Sequence, residues 1–139
     1  AGGDLRLGDP PPGQKFWAVS VSPSPQRIPP MLLHLSNCGI ATSSDGLNFF
    51  KINNKRYSHI INPNTGLSVE HSQLVTVIAS KASIADALAT ALNVMGSEPG
   101  TRLAEKLNNV EACFFEATKQ TLSVVRKTSG FDTSTPSTQ

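Results

Sequence analysis

The chain has no unbroken apolar run of the roughly 18 residues that a membrane-spanning helix requires, so nothing in it reads as a transmembrane segment. Its first residues lack the basic and apolar stretches of a secretory signal. Charge is sparse: 16% of residues are charged, and 12 Lys and Arg against 10 Asp and Glu leave +2. No basic stripe with interleaved aromatics occurs, which argues against nucleic acid as a partner. Only two cysteines are present, Cys38 and Cys113, without a C-x-x-C or histidine neighbours to suggest zinc; they read as small buried thiols. No repeat and no second domain is visible in the 139 residues, of which 38% are hydrophobic, enough to bury one core.

What is present is a series of short, punctuated strands. Gly2 and Gly3 ahead of Asp4-Leu5-Arg6-Leu7 allow a close backbone approach to a ligand or to a neighbouring strand. Asp9 to Gly13 is a rigid turn, and Phe16 to Ser22 alternates as a strand. The proline-rich stretch 23–30 cannot ladder, and a short strand resumes from Met31 to Leu35. Asn37-Cys38-Gly39 turns the chain, and Ile40 to Gly46, with three hydroxyls and a carboxylate, reads as a loop. Phe49 to Ile52 and Lys55 to Ile61 flank Asn53-Asn54 as a hairpin, which puts His59 near a strand end. Asn62-Pro63-Asn64-Thr65-Gly66 then turns densely beside it. A lone strand histidine is usually structural or solvated, but one leading into such a turn is better placed for a ligand.

Leu74 to Ala79 reads as a strand covered on both faces, feeding a helix from Ser83 to Gly96. Pro99-Gly100 separates that helix from a shorter one through Leu107, Glu111 to Glu116 and Leu122 to Arg126 close as a hairpin, and the Ser/Thr-rich tail from Thr128 reads as frayed. The expected class is α+β, an antiparallel or mixed sheet with packed helices. On the Ser83 helix, Ile84, Leu88, Ala91, Leu92 and Met95 form one apolar stripe, with Ser83, Asp86, Thr90 and Asn93 opposite and alanines between. Asp86 and Thr90 stand one turn apart, a pair of oxygen donors suited to a hard cation such as Mg²⁺. Ser83 followed by Asp86 also spells a capping box, which needs no metal, and from these residues alone capping with core packing is the favoured reading.

The order and spacing of several segments narrow this further: Gly2-Gly3-Asp4, Thr42-Ser43-x-Asp45, His59-Ile60-Ile61-Asn62-Pro63-x-Thr65-Gly66, Val75-Thr76-Val77-Ile78-Ala79, and Ala85-Asp86-Ala87-Leu88-Ala89-Thr90-Ala91-Leu92. Together they resemble the FAD:protein FMN transferases of the ApbE family, from Gly2 to about Phe131. The resemblance implies a Mg²⁺-dependent enzyme that binds FAD, cleaves its pyrophosphate, passes FMN to a threonine hydroxyl of a target flavoprotein acceptor and releases AMP. It matches Asp86 and Thr90 to the side-chain metal ligands, so the metal reading of the helix outweighs the cap. Gly3, Asp4, Ser43, Asp45, His59, Ile60, Thr65 and Gly66 match segments that bind the FAD, and His59 is the candidate base for the acceptor hydroxyl.

Departures from the family pattern are Ser44 in place of glycine, Asn64 in place of a basic residue and Leu67 in place of an aromatic. They are expected to narrow the Thr42-Ser43 loop and to weaken contacts to phosphate or flavin. The family's N-terminal half, which supplies much of the FAD pocket and a backbone metal ligand, has no counterpart in these residues. Residues 1–131 are therefore expected to be the C-terminal portion of an ApbE-like domain, and 132–139 a disordered tail. An FAD pyrophosphatase, with water in place of threonine, and a non-catalytic flavin-binding or structural module are the alternatives. The resemblance favours a periplasmic or membrane-tethered location.

Overall fold

A computed structural model of the chain describes residues 3–21, 31–44, 49–70, 73–117 and 122–131. In chain order the elements are β1 (Asp4–Arg6), β2 (Trp17–Val21), β3 (Met31–Leu35), β4 (Gly39–Ser44), β5 (Phe49–Ile52), β6 (Lys55–Ser58), β7 (Gln73–Ala79), α1 (Ala82–Met95), α2 (Ser97–Ala104), β8 (Glu111–Ala117) and β9 (Leu122–Lys127). The β-branched run Val75-Thr76-Val77-Ile78 favours extended backbone, and β7 is covered on both faces at the middle of a five-stranded sheet ordered β1-β4-β7-β8-β9. Every pairing in that sheet is antiparallel, so the choice between antiparallel and mixed resolves to antiparallel.

The alternation of side chains along these strands divides two cores. On one face Ala41, Val75, Val77, Ala112 and Phe114 pack under α1 and α2; on the other Ile40, Leu74, Cys113 and Phe115 pack under the β2–β3 ribbon through Val19, Val21 and Leu33. The result is three layers, helices over sheet over ribbon, an α+β arrangement.

Ile40 to Ser44 is strand, not loop. Its residues are small or β-branched, Ile40 and Ala41 point to opposite cores, and the Thr42 hydroxyl meets the Thr76 hydroxyl of the neighbouring strand at 2.9 Å rather than bonding its own backbone. A cluster of hydroxyls reads as a turn only until a partner strand supplies those bonds. Pro99 and Gly100 do not separate the helices either. Gly96, at φ 83°, ends α1, and α2 starts at once with Pro99 in its first turn, where no amide hydrogen is required. Gly100 is where α2 crosses β8: a Cβ there would lie 2.7 Å from Cζ of Phe114.

The chain from Thr128 to Phe131 is packed rather than frayed. Thr128 and Phe131 are both 1% exposed, the Ala112 amide donates to Thr128 Oγ1 at 3.0 Å, and the Thr128 amide donates to the Ala112 carbonyl at 2.9 Å. Residues 132–139, expected as a disordered tail, lie outside the described residues.

Candidate active site

α1 starts at Ala82, with Lys81 as its N-cap residue and no side-chain capping bond. Ser83 therefore sits inside the first turn, and the Ser83–Asp86 capping box is not formed. Asp86 is left on the exposed side of the second turn without a capping role.

The buried face of α1 is Ala85, Ala89, Leu92 and Asn93, which corrects the stripe read from the sequence: Ile84 is 39% and Met95 41% exposed, while Asn93 is fully buried. The cause is the distance between helix and sheet. A Cβ on Gly39 would collide with the backbone of Lys81 and Ala82, so α1 enters in contact with β4 and only small side chains fit beneath it. The face that looked polar from the sequence is the edge of the contact. Asp86 and Thr90 emerge along it into solvent, and Asn93 turns under it.

β1 runs beside β4 with Asp4 opposite Ala41, which brings the Asp4 carboxylate towards α1. Partial burial holds the Asp4 carboxyl above the ordinary carboxylate range, and the nearby Asp86 carboxylate pushes it higher. The Asp4 and Asp86 carboxylates repel each other, and with the Thr90 hydroxyl one turn from Asp86 they are oxygen donors of the kind a divalent ion takes. Among the described residues no group of three or more His, Cys, Asp or Glu side chains converges, so the donors on offer are carboxylate and hydroxyl oxygens and not a His/Cys cage. This set fits Mg²⁺. Gly3, at φ 108°, has open space where a Cβ would stand, so neighbouring atoms do not account for it.

Ser43 is half-buried at the far end of β4, where its carbonyl accepts from Asn93 Nδ2 at 3.3 Å. Asp45 lies outside the described residues. β5 and β6 form a separate two-stranded sheet turned by Asn53 and Asn54, at φ 51° and 62°. The strand leading to His59 ends at Ser58 and pairs with β5, not with β7, so the sheet does not align His59 with Asp86. His59 is exposed just past that strand end.

The turn after it is tied internally: the Gly66 amide donates to the Asn62 carbonyl at 2.8 Å, the Asn64 amide to Asn62 Oδ1 at 2.9 Å, and the Leu67 amide to Thr65 Oγ1 at 3.2 Å. It meets α1 at the helix's C-terminal end. An open hollow of about 400 Å³ lies there, lined in part by Asn62, Thr65, Leu67, Glu70 and Met95. His59, Ser43 and Asp86 are not among the lining residues. Met95 is nine residues beyond Asp86, about 13 Å along the axis. Ile60 is 5% exposed with its side chain in the interior, whereas Ile61 is 52% exposed; the sequence reading passed over the residue that faces outward. The signal was there in the alternation Ser58, Ile60 in and His59, Ile61 out.

The fold is similar to that of flavin transferases of known structure. A Pseudomonas stutzeri flavinyl transferase ApbE superimposes with a TM-score of 0.74 at 34% identity, over 95% of this chain and 41% of that one. The flavin transferase ApbE of Vibrio cholerae gives 0.73 at 33%, over 94% and 41%. Among curated proteins, the FAD:protein FMN transferase of Chlamydia muridarum is 36% identical over 101 residues, 70% of this chain and 30% of that protein. That of Vibrio cholerae is 38% identical over 107 residues, 75% and 32%. The ApbE family profile matches residues 1–114, and the chain belongs to the ApbE family. It spans about a third of the length of these curated relatives.

Proposed function

We propose that the chain takes part in Mg²⁺-dependent transfer of FMN from FAD to a threonine hydroxyl of a target flavoprotein, with release of AMP, as the C-terminal portion of the transferase domain. The observation that carries this reading is the pair Asp86 and Thr90, one turn apart on the exposed edge of α1, freed from capping and facing the Asp4 carboxylate. The relatives' shared name, FAD:protein FMN transferase, supplies the reaction class.

Asp86 and Thr90 would hold the Mg²⁺, with Asp4 at its edge. The ion would offset the negative charge that gathers on the pyrophosphate oxygens. Transfer forms a bond from the threonine oxygen to the FMN phosphorus and breaks that phosphorus's bond to the AMP oxygen. The threonine proton needs an acceptor, and His59, exposed at the start of the Asn62–Gly66 turn, is the base in this reading. Ser43, Thr65, Gly66 and the backbone around Ile60 and Ile61 would line the flavin, with Gly3 leaving room for it.

The test is product analysis of the full-length protein with FAD and Mg²⁺, with and without an acceptor flavoprotein. FMN mass added to the acceptor, together with AMP, is the expected result. Free FMN and AMP without acceptor would make the protein a pyrophosphatase, and FAD bound but uncleaved would make it a non-catalytic module.

A further inference from the structure

We propose that Asn93 is a positioning residue for the cation, locking the rotation and height of α1 so that Asp86 and Thr90 stand against β1; this rests on the reading of that pair as Mg²⁺ ligands. Asn93 is 0% exposed and is the one polar side chain among the buried residues of α1. Its Nδ2 donates to two backbone carbonyls on two strands, Ser43 of β4 at 3.3 Å and Gln73 of β7 at 3.1 Å.

Packing alone does not call for an amide here. Burying one is costly unless its hydrogen bonds are made, whereas an apolar side chain would join Leu92 in the core without that requirement. Ala85 and Ala89 give a smooth, nearly featureless contact, and apolar contacts are not directional, so they do not resist a roll or slide of the helix. Two hydrogen bonds from one side chain to fixed carbonyls do.

The helical repeat carries that constraint to the cation site. Asp86 precedes Asn93 by seven residues, two turns, with a drift of only about 20°, so the two lie on nearly one line of the helix, and Thr90 is one turn before Asn93. A slip of one residue would turn α1 by roughly 100° and shift it by about 1.5 Å, taking Asp86 away from Asp4. The same amide grips Ser43, so it also joins the helix of the cation site to the strand carrying the Thr42-Ser43 segment.

The experiment uses the full-length protein, with Mg²⁺ alone titrated by calorimetry and thermal melts recorded in EDTA. Asn93→Ala, which removes both donors, is expected to weaken Mg²⁺ binding about ten-fold. Leu92→Ala, which damages the same helix contact but keeps the tether, is expected to lower the melting temperature further while leaving Mg²⁺ affinity within about two-fold. Wild-type affinity in folded Asn93→Ala overturns the proposal, and so does an equal loss in Leu92→Ala, because affinity would then only follow stability. Asn93→Leu takes the place of the alanine variant if that one does not fold, and failure of both to fold overturns the proposal by making Asn93 a core residue. Asp86→Asn runs alongside: if it binds Mg²⁺ like wild type, the metal reading itself falls and Asn93 with it. If only Asp86→Asn loses the ion, the role of Asn93 alone is refuted.

Discussion

Asp86 shows how a single side chain's meaning depends on its neighbours. It has no capping role, and its charge adds to the burial that raises the Asp4 carboxyl. Asp86→Asn is therefore expected to abolish Mg²⁺-dependent turnover while raising metal-free stability at neutral pH. The sign follows from Asp4, whose folded carboxyl titrates above its unfolded value: its contribution is full at low pH and is lost as pH rises through that raised value. Removing the neighbouring charge lessens the loss. Melts in EDTA from acid to neutral pH should show the variant gaining on wild type as pH rises, and parallel curves would mean the two carboxylates do not interact. For His59, the expectation with His59→Asn is a fall in single-turnover FMN transfer of roughly 10² to 10⁴ with FAD affinity retained. Equal losses in both would make it a pocket wall. Cys113 is fully buried, and burial pushes its thiol up to about 12, so in the native protein it should resist alkylation at pH 8 while Cys38, half-buried, reacts first. Mass mapping after brief iodoacetamide treatment decides it.

At the scale of the element, α1 is held by contact rather than by its ends. It has no side-chain N-cap, no acidic residue in its first turn and no basic residue in its last. Lys81 already has the extended backbone of an N-cap, φ −134° and ψ 145°, so Lys81→Asp needs only a side-chain oxygen to reach the first-turn amides. It is expected to stabilise the fold by about 1 kcal/mol, measured by chemical denaturation, and no gain would mean those amides are already satisfied. A helix this weakly capped depends on β4 beneath it. Gly39 lets the helix descend, and the small side chains of Ala85 and Ala89 fit beneath it.

Across the whole molecule, stability is unevenly spread. β7 and β8 lie between both cores, whereas β5 and β6 form a two-stranded ribbon in which Phe50 is 69% and Ile52 59% exposed. A lone ribbon of this kind is marginal in water. Hydrogen exchange should find the slowest amides in β7 and β8 and the fastest strand amides in β5 and β6. Comparable protection in both would mean that the ribbon is covered in the full-length protein.

The strands other than β1 and β4, the Asn53-Asn54 hairpin and the two-faced burial of β7 were legible from the sequence because local alternation and turn chemistry specify them. So were the one-turn spacing of Asp86 and Thr90 and the order of motifs that marks the family. Periodicity could not say which side of α1 faces inward, because that depends on how closely the helix approaches Gly39, forty-three residues before Ala82 in the chain. Nor could it say that the hydroxyls of residues 42–44 belong to a strand, since their partner Thr76 is distant in sequence. The approach of Asp4 to Asp86 and the inward turn of Asn93 likewise arise from contacts between remote segments, whereas the outward face of Ile61 was there to read in the local alternation. Local preference determines what each stretch can be; only packing, where one backbone limits the approach of another, decided which side chains were left facing the site.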